Sequence, residues 1–599
     1  MRNASFRQFA EPVFLAAALL LLSQAGGRCE GPIATSLPAR RVRQPVALAC
    51  ADGGKTILAA NRRSGSISVI DAASRCVVAE HDVGRGLAGL ATLPDGRHLL
   101  AVDQAANDLL LLSYQDPSIQ ILERRRVGPD PVGLVVSADG LSCVVASLWS
   151  RRLTFVGLTP RAPEDKDPGL SIAGSLDLPF CPRELAVFPG GSKLVVADAF
   201  GGRLAVVDLR RRAIDSVRSL PAHNIRGLAF SPDGRALLIT HQVLNRLAQT
   251  NFDDVHWGLL IRNHLRLLRV ESLLKAGSDT ALLDGGRLFD LGDVSYAAGD
   301  PGAITFDRRG NLIVALSGAD EVAIAAGVGQ GPRRIVVGRR PLAVAASPDG
   351  ELVYVADSLD DTISVVVTAT GQRPATIRLG PRPEPTAADR GERLYYSAKI
   401  SHDGWMSCHS CHTDGHTNSL LGDTLGDGSY GAAKRVPSLL GVAATGPWTW
   451  TGSMARLEDQ VRKSIATTMH GPKPTDAQVA DLTAYLNTLA PPSPRLWDTE
   501  LDATAVERGR EVFQSRKCTA CHVPPEYTSP ERYDVGLTDE VGNHEFNPPS
   551  LHGVSRRDAL FHDGRARSLE DVFQKERHPR GLALTPREIT DLVAFLKTL

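Results

Sequence analysis

The sequence predicts a multidomain protein in which an all-β, seven-bladed propeller is followed by two all-α domains. A turn tripeptide recurs seven times before residue 380, and a different block pattern occurs twice after it. The chain has 55 Gly and 38 Pro but only 5% aromatic residues, which suits many short strands joined by tight turns. Its 599 residues exceed what one ordinary hydrophobic core organises, so several domains are expected.

Composition excludes two classes of protein. Hydrophobic residues make up 43% of the chain and charged residues 22%, which excludes a wholly disordered protein. The 67 basic side chains are balanced by 67 acidic ones, so no net field attracts nucleic acid or an anionic membrane. We therefore predict no nucleic-acid partner.

The N-terminus has the pattern of a signal peptide, which we assign to residues 1–25. Two arginines precede an apolar stretch over 13–22, and small residues lead to a predicted cleavage site after Ala25. The apolar run is shorter than the roughly 20 residues that span a bilayer, so no membrane span is predicted. Lipid attachment at Cys29 is a weaker alternative, because an arginine precedes that residue. We expect an exported protein in the periplasm or another extracytoplasmic compartment.

A turn signal of the type Pro-Asp-Gly punctuates residues 40–380, and two β-rich runs follow most copies. Proline presets one φ, aspartate caps locally, and glycine accepts positive φ. Successive copies are 43, 44, 51, 43, 76 and 40 residues apart, close to the ~40–50 residues of one four-stranded blade. The glycines of the seven copies are Gly53, Gly96, Gly140, Gly191, Gly234, Gly310 and Gly350. We predict one blade per copy.

These units resemble the YVTN family of β-propellers, whose blades carry a Ser-Pro-Asp-Gly, strand, turn, strand pattern. The resemblance implies a fold rather than a function. The 76-residue spacing predicts an insertion in one blade, which contains His256 and Trp257. Inserted loops often carry binding residues, so these side chains and His241 either line a pocket or belong to a loop that covers a blade edge. In the first blade, a disulfide between Cys50 and Cys76 can join neighbouring strands.

The two strongest motifs lie in the last third of the chain. The segments Cys408-His409-Ser410-Cys411-His412 and Cys518-Thr519-Ala520-Cys521-His522 match the Cys-x-x-Cys-His signature of c-type haem attachment. Two thiols three residues apart can each bond one haem vinyl group, while the adjacent histidine reaches the iron. Zinc and dithiol chemistry are the alternatives, but a dithiol site needs no histidine at the fifth position. We predict two covalently attached c-type haems, held by Cys408, Cys411, His412, Cys518, Cys521 and His522.

Each motif lies inside a copy of one plan. An Arg-Gly pair precedes it, and a Pro-Ser-Leu block, a Leu-Glu-Asp block and a closing amphipathic helix follow it. Proline-rich segments separate the copies from each other and from the propeller. We therefore predict two cytochrome c domains, at 386–490 and 496–599.

These tandem domains resemble the di-haem cytochrome c peroxidase family, above all at Phe561-His562-Asp563-Gly564-Arg565-Ala566 and at the following Ser-Leu-Glu-Asp block. A fused YVTN propeller is a known partner of such domains. The resemblance implies that one haem stays six-coordinate and relays electrons from a donor. It also implies that the other haem opens a coordination position where peroxide is cleaved.

The second axial ligand of each iron decides between these roles, because a closed iron transfers electrons and an open one binds peroxide. We predict Met469 at the first iron, since it lies on the loop before the closing helix. His416 and His470 are weaker candidates. The second domain contains no Met, and His578 stands near the matching place, so bis-histidine ligation is predicted there. His562 is instead a candidate hydrogen-bond partner near the site.

The resemblance also implies an acid or base at the first site, since peroxide cleavage moves a proton between the two oxygens. Asp459 aligns with the family's distal glutamate and Glu458 adjoins it; the alternative is that both are solvated helix carboxylates. In the family, a methionine just before the last helix commonly binds the iron of the second haem domain. In the second domain of this chain, Gln574 and Lys575 stand near that place instead. A permanent Met469 ligand would argue against peroxidase activity.

We predict an exported di-haem oxidoreductase of peroxidase type, with a small redox protein as partner and hydrogen peroxide or another small molecule as substrate. The propeller would serve as a docking or substrate domain. The alternative is an electron carrier in which both irons are six-coordinate. A lactonase-like propeller ranks last, because no convergent set of metal ligands is evident among the blades.

Overall fold

The N-terminal part of the chain is a seven-bladed β-propeller, as predicted. The computed structural model describes residues 40–159, 167–275, 277–492 and 501–599. The predicted signal peptide and Cys29 lie outside the described residues. Within them, seven antiparallel sheets each contain four strands in simple up-and-down order. None of the described helices is long and apolar enough to cross a membrane.

The strands of the seven blades follow one another along the chain. Blades one to three contain β1–β12: Pro45–Ala51, Thr56–Asn61, Ser66–Asp71, Cys76–Asp82, Leu87–Thr92, His98–Asp103, Asp108–Gln115, Ser118–Arg126, Pro131–Val136, Ser142–Ser147, Arg152–Thr159 and Gly169–Asp177. Blades four and five contain β13–β20: Pro182–Val187, Lys193–Asp198, Arg203–Asp208, Ala213–Ser219, His223–Phe230, Ala236–Leu244, Ile261–Arg269 and Arg287–Asp290. Blades six and seven contain β21–β28: Pro301–Phe306, Leu312–Leu316, Glu321–Ala325, Arg333–Val336, Pro341–Ala346, Leu352–Asp357, Thr362–Val367 and Ala375–Arg378.

The first strand of each blade contacts the first strand of the next, and β25 packs on β1 to close the ring. Each blade consists of four consecutive strands, so no blade combines strands from the two ends of the propeller. Noncovalent contacts must therefore hold these ends together. The buried guanidinium of Arg43 donates to Glu80 in blade one, at 2.8 Å, and to the carbonyl of Pro381 after blade seven, at 3.1 Å. This one side chain therefore bridges the start and the end of the propeller.

All seven predicted turns join the first and second strands of a blade. In blade two, Gly96 has φ +69°, and the Asp95 carboxylate accepts from the backbone N–H of Arg97 at 2.8 Å. Blade five repeats this arrangement at Gly234 and Asp233. The tripeptide therefore acts through its local turn chemistry, as the sequence indicated.

The long spacing arises in blade five. An insertion between β18 and β19 contains α1 (Phe252–His256), and α2 (Val270–Lys275) follows β19. The prediction of a disulfide between Cys50 and Cys76 is wrong, because Cys50 is a free thiol whereas Cys76 is disulfide-bonded.

Two small helical domains follow the propeller. The first contains α3 (Ala387–Tyr395), α4 (Cys408–Cys411), α5 (Leu457–Lys463) and α6 (Asp476–Leu486). The second contains α7 (Ala503–Ser515), α8 (Leu569–Gln574) and α9 (Pro586–Leu596). Thr475 and Thr585 cap the closing helices α6 and α9 through capping boxes. Two-residue strand pairs complete them: β29 (Leu421–Gly422) with β30 (Lys434–Arg435), and β31 (Tyr533–Asp534) with β32 (Glu545–Phe546).

The repeated Arg-Gly pair explains how the first and last helices of each domain cross. A Cβ on Gly391 would lie 1.9 Å from the carbonyl oxygen of Asp481, and one on Gly509 would lie 1.9 Å from that of Asp591. Only glycine allows this approach. The preceding arginines, Arg390 and Arg508, each donate two hydrogen bonds to the side chain of the same aspartate.

Candidate haem centres

The first Cys-x-x-Cys-His motif is held from one side by the propeller. Its helix, α4, is capped by Ser407, whose Oγ accepts from the backbone N–H of His409 at 3.1 Å. The Ser407 hydroxyl in turn donates to Asp300, a buried propeller residue, which also accepts from Ser410 at 2.7 Å. His223 and Gln242 of blade five add hydrogen bonds to Ser410. Ser410, between the two cysteines, therefore faces the propeller, whereas Cys408 and Cys411 line a cavity within the cytochrome domain.

A carboxylate just after the motif strengthens this contact. Asp414 accepts from Arg183 at 2.7 Å and from Arg226 at 2.9 Å, and both arginines come from first strands of neighbouring blades. Burial alone would raise the pKa of Asp414, but the charges of Arg226 and Arg183 outweigh it and hold that pKa well below its usual range. The pair of guanidinium groups thus fixes the first cytochrome domain near the centre of the blade ring.

The predicted ligands of the first iron line one cavity of about 300 Å³. Its walls include Cys408, Cys411, His412 and Met469. Residues of the second cytochrome domain reach the same cavity, among them Pro549 and Arg557.

Both motif histidines are prepared to bind a metal through Nε2. His412 donates from Nδ1 to the carbonyl of Pro437 at 2.9 Å, and His522 donates from Nδ1 to that of Tyr527 at 3.1 Å. Such a bond fixes the tautomer and leaves Nε2 as the acceptor for iron. Burial lowers the pKa of each histidine to about 4, so both imidazoles are neutral at pH 7.

The second site is more open to solvent than the first. Its motif forms a 3-10 turn over Cys518–Ala520, and Ala520 is exposed, whereas Ser410 at the matching place of the first motif is buried. Val523, just after His522, is 44% exposed. Burial lowers the pKa of His578 to about 4, and the neighbouring His522 contributes to this shift.

Two arginines on the cavity wall have environments that suit a bound haem. Arg435 is 2% exposed and donates to the carbonyls of Phe561 and Val436, while Arg557 donates to the carbonyls of Ser550 and His552. Burial lowers the pKa of Arg435 to about 9 and that of Arg557 to about 10. Neither guanidinium forms an ion pair within the described part of the chain. Buried cations without a counter-ion are costly, and the propionates of a haem would supply the missing negative charges.

Trp450 lies where the two cytochrome domains meet. Its Nε1 donates to the carbonyl of Arg435 at 2.7 Å, and its ring lies 6.4 Å from that of His562 in the second domain. His562 is buried and stacks on Phe546 at 4.4 Å. Trp448 instead donates within the first domain, to the carbonyl of Val442. Trp450, which lines the first cavity, therefore also contacts the second cytochrome domain.

The structure does not bring the two predicted catalytic carboxylates to the cavity. Helix α5 buries Leu457 and Val461, which are four residues apart and so share one face. Asp459 is exposed on another face, and Glu458 lies 3.6 Å from Arg456. Gln460 lines the cavity instead.

Gln460 has an unusual environment. Its Nε2 donates to Ser464 Oγ at 3.0 Å, whereas its Oε1 is buried without a hydrogen-bond partner among the described residues. Burying such an oxygen unpaired costs about 1–3 kcal/mol. The cavity wall therefore contains a glutamine whose amide oxygen lacks a hydrogen-bond partner among the described residues, and the sequence analysis missed this residue.

The remaining ligand candidates occupy different surroundings. His416 Nδ1 forms a hydrogen bond with Ser438 Oγ, and the His416 ring packs against Trp149 of the propeller. His470 Nε2 donates to the carbonyl of Thr250 at 2.8 Å. Met406 lines the first cavity together with Met469.

The inserted segment of blade five covers the Met469 side of the cavity. Val255 and Leu260 of the insertion pack with Trp405, Met406 and Met469 in one buried cluster. The insertion therefore faces the first cytochrome domain rather than only a blade edge.

Comparison with known proteins supports this assignment of the C-terminal part. Residues 385–491 match the family described as di-haem cytochrome c peroxidase, and residues 506–599 match the cytochrome c family. The methylamine utilization protein MauG of Methylophilus methylotrophus is 25% identical over 279 residues, which cover 35% of this chain and 82% of that protein. Cytochrome c551 peroxidase of Nitrosomonas europaea is 24% identical over 266 residues, covering 35% and 79%.

Among solved structures, a chain of Kuenenia stuttgartiensis hydrazine synthase is similar, with a TM-score of 0.48 and 21% identity over 57% of this chain and 99% of that chain. The sequence matches, taken with the fold, show a seven-bladed propeller followed by a di-haem cytochrome c peroxidase-like domain and a cytochrome c domain. Families of this kind bind haem c with iron, transfer electrons and act as oxidoreductases.

Proposed function

We propose that this chain is an exported di-haem oxidoreductase that takes electrons from a small redox protein and reduces hydrogen peroxide at its first site. The observation that carries the proposal concerns Gln460, a residue of the first cavity wall, whose amide oxygen is buried and has no hydrogen-bond partner in the described part of the chain. An electron carrier with a closed iron has no use for this group, whereas a small protic ligand such as peroxide can donate a hydrogen bond to it. Export rests on the predicted signal peptide over 1–25.

Each haem has its own set of residues in this proposal. Cys408, Cys411 and His412 hold the first haem, whereas Cys518, Cys521 and His522 hold the second. When bound, a haem supplies a redox-active iron that stores electrons and can accept an oxygen ligand. Each peroxide consumes two electrons from the redox protein and two protons from solvent, and two waters form.

The two sites differ in access, which assigns them different tasks. At the second site, Val523 follows the motif histidine and is 44% exposed, and a redox protein can dock on this apolar surface. The first site is enclosed by both cytochrome domains, and the propeller holds its motif. Electrons would enter at the second haem and pass through the region of Trp450 to the first. His578 completes the ligation of the second iron.

Met469 is the proposed second ligand of the first iron in the fully oxidised resting state, and it would have to leave that iron on half-reduction so that peroxide could bind. Replacing Met469 by leucine is expected to abolish the far-red charge-transfer band that marks a ferric haem with histidine and methionine ligands. Leucine has nearly the same volume but no sulfur, so packing in the cluster with Trp405 is retained. Optical spectra of the ferric protein measure the effect.

Met406→Leu and Met454→Leu are the matched controls for Met469→Leu. Both should keep the far-red band. If Met406→Leu removes the band and Met469→Leu does not, Met406 is the ligand and the assignment of Met469 is wrong.

The function is tested by mixing the half-reduced protein with hydrogen peroxide in a stopped-flow spectrometer. We expect a high-spin signal before mixing and rapid oxidation after it. Gln460→Leu is expected to slow the peroxide reaction about 10²-fold, the typical effect of removing one positioned hydrogen-bonding group from an enclosed site.

Glu458→Gln and Asp459→Asn serve as controls, because the structure places neither carboxylate on the cavity. Both variants are expected to react at the wild-type rate. Two low-spin haems in every redox state, inert to peroxide, would contradict the peroxidase proposal and establish the alternative, an electron carrier with both irons six-coordinate.

A further inference from the structure

Two histidines and one aspartate converge where the insertion of blade five meets the first cytochrome domain. His256 ends helix α1 of the insertion, whereas His402 and Asp403 belong to a 3-10 turn shortly before the first haem motif. His256 Nδ1 lies 3.0 Å from His402 Nε2 and 3.2 Å from Asp403 Oδ2, and the latter two atoms are 3.4 Å apart. Neither the peroxidase proposal nor the family similarity assigns these residues a role.

The three distances match the edges of a metal coordination sphere. Ligand atoms about 2.0–2.1 Å from one ion lie about 2.9 Å apart at right angles and about 3.4 Å apart at the tetrahedral angle. The observed edges of 3.0, 3.2 and 3.4 Å fall within this interval. One ion can therefore contact all three atoms without moving the backbone.

The hydrogen bonding of the cluster is incomplete without an ion. Asp403 Oδ2 is buried and has no hydrogen-bond partner among the described residues. The two facing imidazole nitrogens can share only one proton between them. A cation would pair with the carboxylate oxygen and with both nitrogen lone pairs at once.

The surroundings of the cluster exclude His470 Nε2 as a ligand and give solvent access to the three side chains. The side chains of His256, His402 and Asp403 are 27%, 26% and 15% exposed, so solvent reaches the site. Phe252 lies against both imidazoles, with ring centroids 5.5 Å and 4.9 Å away. His470 also contacts Phe252, but its Nε2 is engaged by the carbonyl of Thr250, which excludes that nitrogen from the cluster.

We propose that His256, His402 and Asp403 bind one divalent transition-metal ion, with Zn²⁺ as the representative, and that water takes the fourth position. Two imidazoles and one carboxylate suit Zn²⁺ and similar ions, whereas Ca²⁺ and Mg²⁺ prefer oxygen ligands. The site differs from both haem centres and does not depend on peroxide chemistry.

The ion would join the propeller to the cytochrome segment that carries Met469. His256 belongs to the propeller insertion and the other two ligands to the cytochrome domain, so the ion bridges the two. The backbone N–H of His402 donates to the carbonyl of Met469 at 3.0 Å. Metal binding therefore steadies the main chain beside the proposed methionine ligand.

The test uses the full-length, haem-loaded protein after dialysis against EDTA, titrated with Zn²⁺ in a calorimeter. We expect one Zn²⁺ per chain. Asp403→Asn and His402→Gln should each weaken binding at least about 100-fold, since each removes one of three ligands. His470→Gln is the matched control and should bind like the wild type. The iron content of each protein shows that the cytochrome domains are intact.

A second measurement separates metal binding from misfolding. Asparagine has nearly the shape of aspartate and tolerates the positive φ of +56° at this position. Zn²⁺ should raise the thermal midpoint of the wild type and of His470→Gln but not that of Asp403→Asn. The proposal is overturned by any of three results: no saturable Zn²⁺ binding, unchanged binding in both cluster variants, or an equal loss in His470→Gln.

Discussion

Replacing Cys518 and Cys521 together by alanine is expected to reduce the covalently bound haem from two to one per chain. The thioether bonds need both thiols, and the remaining His522 cannot retain a haem through denaturation. The second motif is half-exposed, and among the described residues it forms no hydrogen bond to the propeller. The rest of the fold should therefore persist. A pyridine haemochrome assay and a haem-stained denaturing gel measure the loss.

The complementary pair Cys408→Ala and Cys411→Ala should remove the other haem. Cys50→Ala and Cys143→Ala are the controls, because both are free thiols in the propeller and should leave two haems bound. Retention of two covalent haems in both double variants would show that the motifs do not attach haem.

These single-haem proteins also isolate each iron. With only the second haem present, the proposed His522 and His578 ligands predict a low-spin spectrum with the features of two imidazoles. A high-spin ferric signal in that protein would contradict the role of His578 and assign the open iron to the second domain.

The propeller could be predicted from sequence because its signal is local. Each turn tripeptide determines its own backbone through proline, aspartate and glycine, and seven copies reveal the period. The Arg-Gly pairs were visible only as a repeat. Their purpose is a close helix crossing at Gly391 and Gly509, which depends on the carbonyl groups of Asp481 and Asp591, far later in the chain.

The surroundings of the first haem site could be predicted only in part. The spacing of Leu457 and Val461 on α5 already indicates that Asp459 faces away from the core. The prediction of Asp459 as a catalytic residue instead followed its alignment with the family's distal glutamate. Two sets of contacts had no local signal: that of Asp300 with the motif, and those of Arg183 and Arg226 with Asp414 just after it. These propeller residues lie more than 100 residues earlier in the chain. The same separation hid the cluster formed by His256 and His402.

The contact between the propeller and the first cytochrome domain predicts a second large effect, from Asp414→Asn. This change leaves Arg183 and Arg226, each 14% exposed, without the carboxylate that both now contact. Stranding buried cations is strongly destabilising, so we expect a loss of about 3 kcal/mol in the free energy that holds the two domains together. Urea titration of the full-length protein, followed by the optical signal of the first haem, measures the shift. Glu271→Gln, which removes an exposed ion pair with Lys275, should have no measurable effect.

The pH dependence of that difference tests its electrostatic origin. The pKa of Asp414 is held well below its usual range in the folded protein, against an unfolded value of about 3.9. A depressed carboxylate pKa contributes stability that is complete above the unfolded pKa and is lost as pH falls through the folded pKa. The wild type should therefore exceed Asp414→Asn by a constant margin from about pH 5 to pH 8, and the margin should shrink below about pH 4. A margin that persists undiminished in acid would instead attribute the effect to shape, because asparagine and protonated aspartic acid are both uncharged and differ mainly in packing.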